Sequence, residues 1–238
     1  MSDSPRPSFT YYGHASVRVD FPDGQRWLID PWVQGNPSCP ESLHDLERLD
    51  ALLVTHSHAD HFADAVKIAK RYGPKKIVAN FEICTWLTAQ GVGNAAAMNL
   101  GGSQDVLGHR VTMVRADHSS GLDDDGVHVD GGSASGFIVH TAEDFTFYHA
   151  GDTALFSDMQ LIASLYRPRL GFVPIGDLFT MGPADAARAC RYLGVATVVP
   201  IHWGTFPVLT GTPAEFERQV KERELACDVV TLQPGESY

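Results

Sequence analysis

The six residues His56-Ser57-His58-Ala59-Asp60-His61 place three imidazoles and one carboxylate in a single short stretch of the chain. The residues before them, 50–55 (DALLVT), are apolar and partly β-branched, which predicts a buried strand. The residues after them, 62–72, predict a helix that Gly73-Pro74 ends. The four polar side chains therefore lie in a strand-to-helix turn. Such a turn is a rigid place on which functional groups are commonly built.

The residue types in this turn are those that bind borderline divalent metals. Imidazole nitrogen and carboxylate oxygen bind zinc at about 2.0–2.2 Å. His56 and His58 are two residues apart and can reach one point together, whereas Asp60 and His61 can reach a neighbouring point. One turn could thus serve two metals, which lie roughly 3.5–4 Å apart in paired hydrolytic sites. The alternative is a surface turn that is merely rich in histidine, but an apolar strand directly before it argues against that interpretation.

Two metal shells need more ligands than one turn supplies, and three other stretches of the chain follow the same pattern. Each is an apolar strand that leads to a His or Asp followed by small or turn-forming residues. The three predicted strands and their polar residues are 111–116 with His118, 145–149 with Asp152, and 197–201 with His202. His149 ends one of these strands itself, and we interpret it as a neighbour of the ligands or a core residue.

The order of these motifs resembles the metallo-β-lactamase superfamily of dinuclear hydrolases. The similarity extends to a bacterial branch of that superfamily, the metal-dependent hydrolases related to ascorbate-6-phosphate lactonase. The stretches that carry it include 12–16 (YGHAS), 28–31 (LIDP), 148–153 (YHAGDT), 179–183 (FTMGP) and 202–207 (HWGTFP). The resemblance covers nearly the whole chain.

This resemblance implies a fold, a domain organisation and a ligand set. The fold is an α/β, four-layer αββα sandwich, and residues 1–238 form a single hydrolase domain. The cofactors are two divalent metal ions, zinc first, with manganese, iron or nickel suited to the same ligands. The implied ligands are His56, His58 and His118 for the first metal, Asp60, His61 and His202 for the second, and Asp152 as the bridge between them.

The charges of such a site predict hydrolysis. Two divalent cations lower the pKa of water from ~15.7 toward ~7, so hydroxide is present at neutral pH to attack a carbonyl carbon or phosphorus. Asp60 is the expected catalytic group that accepts a proton and passes it to the leaving group. His14 lies beside Gly13 between two predicted strands. It is a candidate catalytic residue in contact with the substrate or the ligands, or else a histidine satisfied by backbone partners.

Three functions remain open on the sequence alone. The first is a lactonase or related ester hydrolase acting on a small metabolite. The second is a phosphodiesterase using the same dinuclear site. The third is a catalytically silent protein that binds metal or senses a ligand. A serine nucleophile is a weaker alternative, because Ser119 is not part of a G-x-S-x-G elbow after a strand.

The composition limits the partners. A net charge of −11 argues against a nucleic-acid partner or an anionic membrane surface, both of which need clustered Lys and Arg. A small substrate can still be anionic, because bound cations dominate the local field. A homo-oligomer is left open. We predict a cytoplasmic protein, because residues 1–8 lack the apolar core of a signal peptide and no apolar run approaches the ~20 residues that span a bilayer.

The remaining pattern gives three expectations that the structure can test. Residues 121–136 are rich in Gly, Ser and Asp and predict a solvated flap without regular structure. Residues 157–166 predict a helix with Ser157 as its N-cap, and residues 184–193 predict another with Pro183 at its first position. The turn at 180–183 either holds an anionic substrate group on the helix start or only caps the helix.

Overall fold

The computed structural model describes residues 5–238, which form two large mixed sheets, a separate hairpin and six α-helices. The first sheet has the order β1-β2-β3-β4-β5-β6. Its strands are β1 (Ser8–Gly13), β2 (Ser16–Asp20), β3 (Arg26–Ile29), β4 (Ala51–Leu53), β5 (Lys76–Asn80) and β6 (Ala95–Met98). β1 to β3 pair antiparallel, whereas β3 to β6 pair parallel.

The second sheet contains seven of the strands from β7 to β15. The other two, β9 (Gly121–Asp124) and β10 (Val127–Asp130), form a separate hairpin. These strands are β7 (Ser103–Val106), β8 (His109–Arg115), β11 (Ser135–His140), β12 (Thr146–His149), β13 (Leu170–Pro174), β14 (Thr197–Ile201) and β15 (Asp228–Val229). Their order is β15-β14-β13-β12-β11-β8-β7. β12 to β15 pair parallel, so both sheets contain a run of parallel strands.

The two sheets pack face to face because their strands are apolar on both sides. In β3, Trp27 and Ile29 face the core between the sheets, whereas Leu28 faces the opposite side. Aromatic side chains join the sheets across this core. The ring of Phe9 in β1 lies 4.9 Å from that of Phe147 in β12, edge to face. Strands buried on both faces are typical of sheets that are covered by helices.

The helices cover the outer faces. They are α1 (Ala59–Phe62), α2 (Ala65–Tyr72), α3 (Phe81–Ala89), α4 (Met159–Tyr166), α5 (Pro183–Leu193) and α6 (Pro213–Glu222). Ile68 of α2 and Ile83 of α3 pack on the first sheet, and Cys190 of α5 and Phe216 of α6 pack on the second. The predicted four-layer αββα sandwich is therefore confirmed. None of the helices in residues 5–238 is long and apolar enough to cross a bilayer.

The helix predicted at 62–72 is interrupted. α1 ends at Phe62 and α2 begins at Ala65, with Asp64 between them. Oδ2 of Asp64 accepts hydrogen bonds from three successive backbone N–H groups, at 2.7, 2.7 and 3.3 Å, in the loop 33–35. A continuous helix would have placed this carboxylate differently. The interruption fixes the loop that follows β3.

The flap predicted at 121–136 is partly regular, so that prediction was wrong. It contains the hairpin of β9 (Gly121–Asp124) and β10 (Val127–Asp130). Asp125 and Gly126 connect these strands with φ angles of 52° and 82°. An Asp-Gly pair with two positive φ angles is a strong hairpin signal, and the acidic run around it concealed the signal.

Several element ends also differ from the prediction. The N-cap of α4 is Asp158, because the helix begins at Met159 rather than after Ser157. The last strand is the two-residue β15, Asp228–Val229. Pro183 at the start of α5 is confirmed. β6 has the sequence AAAM, and this lack of β-branched residues is why its strand was not predicted.

Candidate metal centre

The polar residues of the site follow the carboxyl ends of strands in both sheets. In the first sheet, His14 follows β1, Asp30 follows β3 and residues 56–61 follow β4. In the second sheet, His118, Asp152 and His202 follow β8, β12 and β14. The carboxyl ends of strands that run in the same direction meet at one edge of a sheet, where sites are commonly built. The two edges face each other and bring these loops together.

Three of these residues leave their strands through a left-handed backbone. The φ angles of His14, Asp30 and His202 are 57°, 53° and 57°. Non-glycine residues adopt this conformation at a cost, and they do so often at functional sites. The sharp turn at each strand end directs the side chain into the space between the sheets.

Asp152 lies at the centre of the histidine cluster. Its Oδ2 is 3.0 Å from Nε2 of His202 and 3.2 Å from Nε2 of His61. The same oxygen is 3.7 Å from Nε2 of His118 and 4.0 Å from Nε2 of His56. Asp152 thus contacts imidazoles of both predicted metal groups. This is the position that a bridging carboxylate requires.

The seven residues predicted as metal ligands are brought together by the structure. Nδ1 of His58 lies 3.1 Å from Nε2 of His56 and 3.3 Å from Nε2 of His118. A second group has one potential ligand atom per residue, all within 4.8 Å of one another; its members are His14, Asp60, His61 and His202. A third group, within the same limit, combines His56, His61 and Asp152. The third group overlaps both others and connects them.

The unpartnered atoms of the site show that these residues fit metal ions. Four buried atoms have no partner in hydrogen-bond geometry, although Oδ2 of Asp152 lies close to two of them: Nε2 of His61, Nδ1 and Nε2 of His202, and Oδ1 of Asp152. A buried polar atom without a partner costs roughly 1–3 kcal/mol. Cations bound among these lone pairs would remove that cost. Imidazole with carboxylate suits zinc, manganese, iron and nickel.

Asp30 holds one of the ligands and was missed as a site residue by the sequence analysis. Its Oδ2 accepts a hydrogen bond of 2.8 Å from Nδ1 of His61, and both side chains are completely buried. Nε2 of His61 is therefore the ring nitrogen that faces the site. A carboxylate on the far nitrogen of a ligating histidine fixes its tautomer and orientation. The signal was available, since the stretch 28–31 (LIDP) is another apolar strand ending on Asp.

Thr55 holds a second ligand through the same carboxylate. Its hydroxyl donates to Oδ2 of Asp30 at 2.8 Å and, having only one proton, accepts from Nδ1 of His56 at 3.0 Å. Its backbone N–H donates to Oδ1 of Asp30 at 2.8 Å. Nε2 of His56 is therefore the nitrogen that is free to bind a metal. One buried carboxylate orients two ligands.

His14 contacts a ligand instead of open space. Its side chain is completely buried, with Nε2 3.0 Å from Oδ2 of Asp60 and Nδ1 3.0 Å from Oγ1 of Thr205. Of the alternatives for His14, the geometry favours a residue that positions Asp60. The catalytic role of His14 in contact with substrate stays a prediction. Thr205 carried no sequence signal of its own.

The protonation states agree with a site prepared for cations. Burial lowers the pKa of His14 to about 4 and moves the pKa of His56 well below its ordinary value. Both imidazoles are neutral at pH 7. Burial also works to lower the pKa of His61, but the carboxylates of Asp152 and Asp30 raise it well above its ordinary value. A metal ion would take the place of the proton on His61.

The sequence also singled out His149 and the turn at 180–183. His149 donates from Nε2 to the carbonyl of Ala15 at 3.0 Å and accepts at Nδ1 from the N–H of Gly151 at 3.2 Å. It connects the two sheets and does not face the metal groups. In the turn at 180–183, the N–H of Met181 donates to the carbonyl of Thr153 at 3.2 Å, and Gly182 is the N-cap of α5 without a side-chain hydrogen bond. Both alternatives for this turn stay predictions.

Known proteins share this architecture and much of the sequence. Residues 25–203 match the family model described as the β-lactamase superfamily domain. A relative from Koribacter versatilis named UPF0173 metal-dependent hydrolase is 48% identical over 229 residues, which are 96% of each chain. The chain belongs to the metallo-β-lactamase superfamily of metal-dependent hydrolases.

Other members of the superfamily show the same extent of similarity. A UPF0173 metal-dependent hydrolase from Rubrobacter xylanophilus is 48% identical and covers 95% of this chain and 94% of its own. The solved structure of Igni18, described as a novel metallo hydrolase from Ignicoccus hospitalis, has a TM-score of 0.87 and 35% identity. It covers 98% of this chain, and this chain covers 97% of it. The similarity therefore extends over nearly the whole length of each chain.

Proposed function

We propose that this member of the superfamily is a dinuclear hydrolase that cleaves the ester bond of a lactone or a related ester in a small molecule. The observation that carries the proposal is the position of Asp152. Its Oδ2 lies within 3.0–4.0 Å of Nε2 atoms from four histidines, two from each predicted metal group. One oxygen shared by two groups of imidazoles is the arrangement expected of a bridging ligand between two cations.

Each side chain has a role in holding such a pair. His56, His58 and His118 would hold one cation, and Asp60, His61 and His202 the other. Divalent cations in these positions supply Lewis acidity toward a carbonyl oxygen and lower the pKa of water. Asp30 and Thr55 keep the rings of His61 and His56 in the tautomers that present Nε2 to the site. The proposal takes zinc as the first candidate, with manganese, iron and nickel as alternatives.

Asp60 is the group to which the proposal assigns proton uptake. Its side chain is 29% exposed, so that it reaches the open side of the site. Burial works to raise its pKa, but the hydrogen bond from His14 and the nearby His61 bring it well below its usual range. The carboxylate is therefore ionised at neutral pH. His14 fixes its orientation, which a proton acceptor needs in order to face one substrate atom.

Metal content and a substrate panel test the proposal. Freshly purified protein should contain about two equivalents of divalent metal. The loaded protein should hydrolyse simple lactones faster than bis-p-nitrophenyl phosphate. A matched control is His140→Ala, which removes an exposed histidine of β11 outside the site and should change neither result.

The other outcomes separate the alternative functions. Cleavage of the phosphodiester without lactone hydrolysis would show a phosphodiesterase on the same site. Two bound metals without turnover of any panel member would show a protein that only binds metal or senses a ligand. Metal content below one equivalent, after reconstitution with zinc or manganese, would contradict the dinuclear site.

A further inference from the structure

A pocket of about 510 Å³ opens beside the metal centre. It lies between α1 and α2 on one side, α3 on another, and the β9–β10 hairpin on the third. His58 is part of both the pocket and the candidate metal centre. It lines the pocket, and its Nδ1 lies 3.1 Å from Nε2 of His56. A group bound in the pocket is therefore one side chain away from the site of reaction.

The surface of the pocket is mainly apolar. Its large apolar lining residues are Phe62, Val66, Trp86 and Leu122. The small residues Ala59 and Ala63 also line it. Among the described residues that line it, there is no Lys or Arg, and the one carboxylate is that of Asp123. Burial of apolar surface, and not pairing with an anion, is what such a pocket offers a ligand.

The walls are held in place on both sides of the pocket. Nε1 of Trp86 in α3 donates to Oδ2 of Asp124 in the hairpin at 3.1 Å. The ring of Trp86 lies 5.3 Å from that of Phe62 in α1. Leu122 of the hairpin is buried against the helices that cover the first sheet. The hairpin is therefore a fixed wall and not a free flap.

The base of the hairpin is joined to the metal-binding turn. The hydroxyls of Ser57 and Ser120 are 3.1 Å apart, and Ser120 donates to the carbonyl of Gly131 at 3.0 Å. Nδ2 of Asn80 also donates to the carbonyl of Gly131, at 2.6 Å. Ser57 stands between two predicted ligands, His56 and His58. The position of the pocket relative to the metals is thus fixed by hydrogen bonds.

We propose that this pocket receives an aliphatic chain of the substrate, so that the preferred substrates are lactones or esters with an alkyl chain of medium length. The inference rests on the proposed hydrolytic function and adds to it the chemical class of the group next to the scissile bond. Trp86 and Leu122 act as the walls that contact the chain. The lining offers no Lys or Arg that could pair with a phosphate or carboxylate at this position.

A series of γ-lactones tests the inference. The alkyl substituent grows from none to hexyl while the reacting ring stays constant, and acid release is followed with a pH indicator. Each methylene that enters the pocket should raise kcat/KM by about fourfold, because burial of one CH2 is worth about 0.8 kcal/mol. The increase should stop when the pocket is full. A kcat/KM that does not change with chain length would overturn the inference.

Two matched variants separate the pocket from the rest of the surface. Ala63 is exposed and lines the pocket, so Ala63→Phe should fill it with little change in the core. In this variant the ratio of kcat/KM for the hexyl-substituted lactone to that for the unsubstituted lactone should fall at least about tenfold. Ala89→Phe places the same ring on an exposed position of α3 outside the lining and should keep the wild-type ratio. An unchanged ratio in Ala63→Phe would contradict the inference.

A binding measurement distinguishes this inference from the proposed reaction. If no lactone is hydrolysed, the proposed reaction has failed, and calorimetry with octanoate and acetate decides the role of the pocket. Tighter binding of octanoate than of acetate, weakened in Ala63→Phe but not in Ala89→Phe, would support an aliphatic pocket. Equal binding of the two acids by the wild-type protein would overturn it.

Discussion

The carboxylate of Asp30 and the imidazole of His61 form a completely buried contact, with Oδ2 2.8 Å from Nδ1. Asp30 follows β3 and His61 lies in α1, so the contact connects two loops of the first sheet. The same carboxylate accepts the N–H and the hydroxyl of Thr55. One residue outside the predicted ligand set thus orients the ring of His61 and, through Thr55, that of His56.

Replacing Asp30 by Asn should weaken metal binding without unfolding the protein. Asn keeps the size of the side chain and tolerates the φ of 53° at this position. It removes the negative charge that makes His61 a strong ligand, so we expect a loss of about 10–100-fold in metal affinity. Titration against a competing chelator measures it. Asp144→Asn, in the exposed turn between β11 and β12, is the matched control, and equal affinities in the two variants would contradict this role.

Removing the central carboxylate should have a larger effect. In Asp152→Ala the imidazoles of His61 and His202 lose the oxygen that lies 3.2 and 3.0 Å from them. We expect metal content to fall from two equivalents to one or fewer. Activity should fall by more than the roughly 10–100-fold that loss of an outer partner costs. Elemental analysis and lactone hydrolysis measure the two effects, and a variant with full metal content and rate would show that Asp152 is not a bridge.

His14 should act through Asp60, which a pair of variants can show. His14→Leu removes the hydrogen bond to Oδ2 of Asp60, and we expect kcat to fall by about 10–100-fold with KM nearly unchanged. Gln can place an amide N–H near the position of Nε2, so His14→Gln should recover much of that loss. Full activity in His14→Leu would exclude the positioning role. A loss carried by KM alone would indicate contact with the substrate instead.

The buried His149 should make the metal-free protein less stable in acid. Burial lowers its pKa in the folded state below the ordinary value of 6.5. Well above pH 6.5 the imidazole is neutral in both states and has no effect on the pH dependence of stability. As the pH falls below 6.5, the unfolded state takes up the proton first, so the free energy of unfolding decreases by at most about 1.4 kcal/mol per pH unit for each such group.

Urea unfolding of metal-free protein between pH 5 and 8 checks this prediction. His149→Gln retains a donor for the carbonyl of Ala15, which the ring contacts at 3.0 Å, but cannot titrate. Its free energy of unfolding should therefore decrease less steeply below pH 6.5 than that of the wild-type protein. Parallel curves for the two proteins would show that His149 does not contribute.

Gly131 should be sensitive to the smallest added side chain. A Cβ at this position would lie 1.9 Å from Oγ of Ser57, in the metal-binding turn. We expect Gly131→Ala to destabilise the protein by about 1–3 kcal/mol and to lower metal affinity, because Ser57 must move. The double variant with Ser57→Ala should regain part of the loss. Gly93→Ala, where an added Cβ meets nothing within 4 Å, is the control and should change neither quantity.

Part of this site could be predicted because the ligands obey a local rule. Three of the predicted ligands each follow an apolar strand, namely His118, Asp152 and His202. The end of a strand can be recognised from the residues next to it in the sequence. The break at Asp64 was not predicted, because its cause is a carboxylate that binds the distant loop 33–35. The hairpin at 121–130 was missed for a different reason, since the Asp125-Gly126 signal lies within an acidic run.

The sequence by itself indicated most strands and helices and the candidate metal-binding side chains, because hydrophobic pattern and residue chemistry are local. The layered fold was implied by the resemblance to a known superfamily. Only the tertiary structure decided that Asp30 and Thr55 orient the ligands, that His14 is buried against Asp60, and that an apolar pocket begins at His58. Such contacts join residues that are remote along the chain. They depend on how the two sheets pack against each other, and this packing cannot be inferred from any single stretch of sequence.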